Sequence, residues 1–333
     1  KLQSSILTMA KEWNRKGYVE DGFMDYLSDE NQVSFPWSMI DKITPHPSER
    51  VQEELGRLGV ADMAIARTNT GTLIAPFVNA EITEYLVLED AFPNGRPALE
   101  GAGVYLTDRT TVEKAEKMKV GTCLNPLHTA LAVYGCLLGY TSIAAEMGDA
   151  DLKALVEHIA AESLPVVEDP GILSPRAFID EVLHERFPNP AIPDTPQRIA
   201  ADTSQKLPVR YGGTLRRYAR QSEQALAGLE FAPLVFAGWC RYLLGVDDRG
   251  NAMPVSPDPM LPQLQAHLKG IEVGRPDSLA GQLRPILSNA ALFGVDLYAA
   301  GLGERTEEMF RDMLAGPGAV RATLHRNCAC KQP

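Results

Sequence analysis

The chain has 333 residues, 45% of them hydrophobic, with 32 Lys and Arg against 43 Asp and Glu for a net charge of −11. That length suggests two domains and that apolar fraction supplies real cores, which excludes disorder as the main character. The acidic excess repels phosphate backbones and anionic bilayers, so nucleic acid and membrane are disfavoured as partners and a small-molecule function is favoured.

Five cysteines in so long a chain fit a reducing, cytoplasmic compartment better than a disulfide framework. Residues 1–5 hold neither an initiator Met nor the apolar run of a signal peptide, so the chain is expected to begin in mid-protein. Residues 3–16 place Ile6, Leu7, Met9, Ala10 and Trp13 at helical spacing with Gly17 as the stop, which predicts a helix. From Val33 the texture turns to short extended pieces at 33–35, 64–67, 84–88 and 104–106, separated by prolines and glycines from Pro36 to Pro97. No Gly-x-Gly-x-x-Gly joins a strand to a helix there, so no nucleotide-binding fingerprint is visible.

After Asp108 the chain reads as helical. Helices are predicted over 110–119 and over 125–147, with Gly148 as the stop, and Leu152, Leu155, Val156 and Ile159 form the stripe of the next. The apolar stretch from 130 to 145 is shorter than the roughly 20 residues that span a bilayer, so it is read as a buried helix. Ser174 and Pro175 make an N-cap and first turn, a Pro-rich loop runs from 187 to 196, and further helices are predicted near 214–228, 231–245, 260–269, 277–291 and 305–315. The fold class expected is α+β and mostly helical.

The densest polar cluster on an apolar background is 116–128. Asn125 and His128 share a helix face, as do Glu116 and Lys119, but Lys119 and Asn125 are six apart, about 240° around a regular helix. All four converge only if the backbone bends or bulges near Gly121, and Pro126 suits the first turn of a new helix. A Lys among apolar groups can accept a proton from an alcohol, Asn can donate to an oxygen gaining charge, and His can donate or position, all without a metal. The alternative is a Lys at a helix start, an Asn at a cap and a His at a core edge. In a second cluster, Arg198, Lys206 and Arg210 could clamp a carboxylate or a polyhydroxylated ligand, or lie on a solvated helix face. His46, His158, His184 and His267 form no metal spacing; His325, Cys328 and Cys330 offer a weak one at the tail.

These residues carry a resemblance. The segment from Val33 through Phe35, Pro36, Met39, Asp41, Lys42, Ile43, Thr44 and Pro45 resembles the Phe-Pro-x-x-Met-Val-Asp-Arg-Ile-Thr-Pro segment of the mannitol dehydrogenase family, the long-chain polyol and hexuronate dehydrogenases. Three further motifs agree in order: Leu88 to Phe92 with Gly95, Arg96, Pro97, Glu100 and Gly103; Glu116, Met118 and Lys119 with Leu124, Asn125 and His128; and Arg186, Asn189 and Pro190 with Asp194, Thr195, Arg198, Asp202 and Ser204 to Pro208. The resemblance implies a chain made of the remainder of a Rossmann-type N-terminal domain (1–108) and a multihelical substrate domain (109–333). It implies NAD(P)-linked, metal-independent hydride transfer at a secondary alcohol, with NAD favoured, Lys119 as general base, Asn125 and His128 on the reacting oxygen, Glu116 in a proton path, and Asp41, Arg198 and Lys206 on substrate. The family's glycine-rich dinucleotide turn would lie upstream of residue 1, so the cofactor-binding residues are expected mostly outside this chain, which alone should bind NAD poorly or not at all.

Departures refine that expectation. The family separates its catalytic Lys and Asn by five positions where Lys119 and Asn125 are six apart, so either a bulge at Gly121 absorbs the extra residue or Lys117 is the base. Pro126 and Leu127 between Asn125 and His128, Lys42 for Arg and Trp37 for a smaller polar residue point towards the hexuronate branch, which interconverts D-mannonate and D-fructuronate. The alternatives are mannitol or another polyol as substrate, and a sugar-binding or interaction module without catalysis. A monomer or weak dimer is expected by analogy.

Overall fold

Apolar residues at helical spacing produce α1 (Leu2–Arg15), which stops at Gly17 in the left-handed region. This computed structural model describes residues 2–329. A short α2 (Phe23–Ser28) precedes β1 (Ser38–Asp41). The strand predicted at 33–35 forms instead beyond Pro36, which has no N–H to give a ladder. In β1, Met39 and Asp41 are buried while Ile40 is exposed, the period of a strand with one covered face. There follow α3 (Glu49–Arg57), a hairpin of β2 (Ala66–Arg67) and β3 (Leu73–Ile74), β4 (Tyr85–Glu89), β5 (Tyr105–Thr107) and α4 (Arg109–Met118). The mixed sheet has the order β1-β4-β5, with β1 antiparallel to β4 (Met39 opposite Val87) and β4 parallel to β5 (Val87 opposite Tyr105).

Two compact units divide the chain. The smaller holds the residues up to Lys42, Thr83–Glu116 and Pro170–Ile172, and so contains this sheet with α1 and α2; the larger holds Ile43–Ile82, Lys117–Asp169 and the residues from Leu173 on. The larger unit is helical: α5 (Asn125–Leu138), α6 (Ile143–Glu146), α7 (Ala150–Ser163), α8 (Pro175–Glu181), α9 (Pro196–Ile199), α10 (Thr203–Arg210), α11 (Gly212–Gln221), α12 (Glu223–Ala227), α13 (Phe231–Tyr242), α14 (Leu261–His267), α15 (Arg284–Leu287), α16 (Ala290–Phe293), α17 (Gly303–Met313) and α18 (Ala319–Cys328).

Three predicted helices are broken. The run 125–147 stops at Gly139 (φ 81), where the amides of Gly139 and Tyr140 close onto Cys136 and Gly135, and restarts with Ser142 Oγ capping Ala145 N. The run 214–228 breaks at extended Ser222, whose hydroxyl caps α12, and 277–291 yields only the short α15 and α16, the second capped by Asn289. Helices α2, α3, α9 and α18 were not expected from the sequence pattern.

The core of the larger unit is α5 against α13. From Pro126 to Leu137 every residue of α5 except His128 is buried, and α13 is buried throughout, as helices apolar all round must be. Each fully buried Leu there is worth about 1.5–3 kcal/mol. Gly238 admits the Tyr134 ring, since an added Cβ would meet its Cζ at 2.7 Å, and Tyr134 Oη donates to the Leu234 carbonyl at 2.8 Å. Glu162 accepts the amides of Glu230, Phe231 and Ala232, satisfying the orphan donors at the start of α13.

Candidate active site

The polar cluster of 116–128 is not one regular helix. Between α4 and α5 the backbone makes a single π-helical turn over Lys119–Cys123, closed by Leu124 N donating to the Lys119 carbonyl at 3.1 Å. The cause lies downstream: Pro126 has no N–H for the carbonyl four residues back and its ring crowds that carbonyl, so the α ladder fails at Thr122 and the turn widens by one residue. Gly121 is not in a glycine-only conformation, and an added Cβ would meet nothing nearer than the Val209 carbonyl at 3.7 Å, so the bend does not depend on its being glycine. The same logic produces a second π turn at Val182–Arg186, ahead of Pro188.

Side chains of α10 and α11 hold this bent junction. Thr214 Oγ1 donates to the Gly121 carbonyl at 3.0 Å, Tyr211 Oη to the Pro126 carbonyl at 2.7 Å, and Arg210 Nη1 to Thr129 Oγ1 at 2.5 Å and the Asn125 carbonyl at 3.5 Å. Lys119 is half-buried within the π turn and Asn125 half-buried at the start of α5.

His128 lies three residues further along α5, its ring 5.0 Å from that of Phe187 and its Nε2 3.2 Å from Asp194 Oδ2. That approach is an ion-pair distance without in-line hydrogen-bond geometry, and Oδ2 has no other donor. Asp194 Oδ1 takes Arg198 Nε at 2.8 Å, Nη2 at 2.5 Å and the Thr195 amide at 3.0 Å. Burial raises the Asp194 carboxyl, but His128 and Arg198 together hold it below the usual carboxylate range. Burial lowers His128; Asp194 opposes this, Arg210 and Arg198 add to it, and the ring is neutral at neutral pH. With Asp194 favouring the proton on Nε2, Nδ1 is the nitrogen that accepts, for instance from a substrate hydroxyl.

Lys206 Nζ donates to the carbonyls of Ile199 (3.0 Å) and Ala201, beyond the end of α9. Burial, and then Arg210, lower its pKa, with Arg198 adding to the effect. Burial alone pushes Arg210 down to about 10. Arg198, Lys206, Arg210 and His128 therefore share one electrostatic neighbourhood, a cationic patch tempered by three carboxylates: Asp194 acts on His128 and Arg198, and Asp202 and Asp258 oppose the lowering of Lys206. The two remaining predicted residues belong to the smaller unit: Asp41 is buried on β1, opposite Tyr85, and Glu116 is exposed on α4. Lys117 is about half exposed and lies 3.5 Å from Glu168, which also holds Arg217 at 2.8 Å.

Several contributors escaped the sequence reading. Asp194 entered only as a motif letter, although its i, i+4 spacing to Arg198 was visible. Thr129, Tyr211 and Thr214 gave no signal, and neither did Glu81, which reaches Arg186 in a buried pair (Nε to Oε2 3.0 Å, Nη2 to Oε1 2.7 Å) and takes the Ile43 amide at 2.6 Å. At the tail, His325 Nδ1 lies 2.8 Å from Asp151 Oδ1 and Cys328 is buried, while Cys330 lies outside the described residues. Among the described residues no helix is long and apolar enough to cross a membrane, and no group of three or more His, Cys, Asp and Glu could hold a metal ion.

The larger unit is thus mainly helical and carries a Lys–Asn–His segment bent at a π turn. Residues 111–306 match the family model of the mannitol dehydrogenase C-terminal domain, and the chain belongs to that family. It is 56% identical over 326 residues to D-mannonate oxidoreductase of Thermotoga maritima, covering 97% of this chain and 60% of that one, and 33% identical to D-mannonate oxidoreductase of Escherichia coli, covering 80% and 50%. Among solved structures it resembles mannitol 2-dehydrogenase of Pseudomonas fluorescens in a ternary complex with NAD and D-mannitol, with a TM-score of 0.71 at 29% identity, over 99% of this chain and 60% of that one. The chain thus spans 50–60% of the length of these relatives.

Proposed function

We propose that the protein catalyses NAD(P)-dependent, metal-independent hydride transfer between a sugar acid and its ketone, with D-mannonate and D-fructuronate as the pair and NAD as the favoured carrier. The observation that carries this reading is the cationic patch of Arg198, Lys206 and Arg210 around His128, which suits a substrate carboxylate, in a chain 56% identical to a D-mannonate oxidoreductase. Residues 1–108 are read as the end of a nucleotide-binding domain and 109–333 as the substrate domain, in a cytoplasmic monomer or weak dimer.

In this reading the cofactor's dinucleotide turn lies outside the chain, and the roles given to its residues concern the substrate side. The nicotinamide, when bound, takes up or supplies the hydride. On the substrate side Lys119 takes the alcohol proton as the carbonyl forms, while Asn125 and His128 bind the reacting oxygen, the Asn125 amide donating to it as its charge changes and His128 held in place by Asp194. Asp41 and Glu116, both in the smaller unit, keep the roles the family resemblance gives them, Asp41 in holding substrate and Glu116 in a proton path. Lys117, already paired with Glu168 near the surface, is the weaker choice of base.

Lys119→Ala tests this assignment in the full-length protein. Turnover should fall by about 10³-fold with sugar binding retained, while Lys117→Ala stays within about two-fold; unchanged turnover in Lys119→Ala removes the role. The polyol reading, which the likeness to mannitol 2-dehydrogenase favours, differs in substrate and not in these roles.

A further inference from the structure

Glu146, at the end of α6, is fully buried, and neither oxygen of its carboxyl has a hydrogen-bond partner. Buried polar groups in folded proteins are almost always paired, so an orphan of this kind calls for a reason. Its place in the larger unit supplies one. The carboxyl fills a notch over Gly135 on α5, where a Cβ would stand 2.1 Å from Oε1, and Gly135 lies two helical turns beyond His128 on the same face. At its other end α6 is fastened to Asp194, whose carbonyl takes the Ile143 amide at 3.1 Å. Asp194 in turn faces His128, with its own Oδ2 buried and lacking an in-line donor.

We propose that Glu146 is a positioning residue for the His128–Asp194 pair, a buried carboxylic acid that keeps its proton in the Gly135 notch so that Asp194 is the anion that orients the imidazole. This rests on the reading of His128 as a site residue. The titratable groups around Glu146 are Cys136 on α5, Asp149 at the cap of α7, and Asp194. Burial, followed by the charges of Asp194 and Asp149, pushes the carboxyl up to about 9. It is therefore neutral at neutral pH, and its ionisation in alkali places a second negative charge beside Asp194.

The test follows the His128 ring resonances by NMR as pH is raised. Besides the imidazole's own step below its ordinary value, a second inflection should appear near pH 9. Glu146→Gln, which preserves shape and neutrality, should abolish that inflection without changing the fold, and Asp194→Asn should move it to lower pH by removing the like charge. An inflection that persists in folded Glu146→Gln, or its absence from the wild type, overturns the proposal. Should Glu146→Gln fail to fold, the carbon-13 shift of the Glu146 carboxyl in the wild type decides: a carboxylic acid at neutral pH supports the proposal and a carboxylate overturns it. In the full-length protein Glu146→Gln should keep kcat and KM within about two-fold at neutral pH and lessen the alkaline decline of kcat. Absence of any sugar turnover would sink the proposed activity while leaving the NMR coupling intact, whereas lost coupling with turnover intact would sink this inference alone.

Discussion

Replacing Gly135 by Ala sets two known effects against each other. In an exposed helix interior the change stabilises by about 1 kcal/mol, because Gly loses more backbone freedom on folding. In α5, however, the new Cβ would lie 2.1 Å from Glu146 Oε1 and 2.5 Å from its Cδ, far inside the ordinary heavy-atom contact of about 3.5 Å. Glu146 is fully buried, so the carboxyl must be pushed against its neighbours or α6 must shift away from α5. A contact this short places the overpacking cost in the upper part of the usual range, about 2–3 kcal/mol, which after the helical gain of about 1 kcal/mol leaves Gly135→Ala destabilised by about 1–2 kcal/mol, or roughly 2–4 °C. Thermal and urea unfolding measure this, and the double variant Gly135→Ala/Glu146→Ala should recover the helical gain, with a coupling of about 1 kcal/mol or more. A Gly135→Ala variant that melts at or above the wild type would refute the reasoning.

Other consequences are equally direct. Glu81→Gln removes the charge of the buried Glu81–Arg186 pair and should cost about 3–5 kcal/mol in urea unfolding; a loss below about 1 kcal/mol would contradict the importance of the pair. Burial raises Asp149, but hydrogen bonds from Arg321, Tyr140 and the Leu152 amide more than offset it and hold the carboxyl at about 2. Because the folded value is depressed, its contribution is present above the unfolded value near 3.8 and is lost as pH falls towards 2, so Asp149→Asn should flatten that part of the stability profile, and an unchanged profile would exclude the role. Asp194→Asn removes the counter-charge of His128 and the partner of Arg198, and should lower turnover by about 10²-fold with the fold retained; turnover within about two-fold of wild type would show that His128 needs no such partner.

Much of the helical unit could be read from local pattern, because the apolar stripe of a helix and the chemistry of its caps are encoded within a few residues. Ser174 caps α8 as expected, with Oγ accepting the Ala177 amide at 3.3 Å, and the need for a bend between Lys119 and Asn125 followed from spacing alone. The bend falls where the spacing puts it, at a π turn that includes Gly121, and the missing N–H of Pro126 accounts for it. The strand predicted at 33–35 failed for a related reason, since Pro36 stops a ladder that two apolar residues suggested. Gly139 visibly interrupts the long apolar run 125–147, but the hydrophobicity on both sides of it masks that it is a left-handed stop. What local pattern could not supply were partnerships made by tertiary folding: Arg186 with Glu81 across 105 positions, Thr214 with Gly121 across 93, and Asp194 with His128.

A dehydrogenase of sugar acids is told from a polyol dehydrogenase by the ketone it reduces. The most direct measurement is nicotinamide absorbance of the full-length protein offered D-fructuronate, D-tagaturonate and D-fructose in parallel with NADH, with chelator present and no added metal. Turnover with preference for D-fructuronate is expected. Preference for D-fructose would move the protein to the polyol branch and contradict the role given to the cationic patch, and no oxidation of NADH with any of the three would contradict the catalytic assignment as a whole.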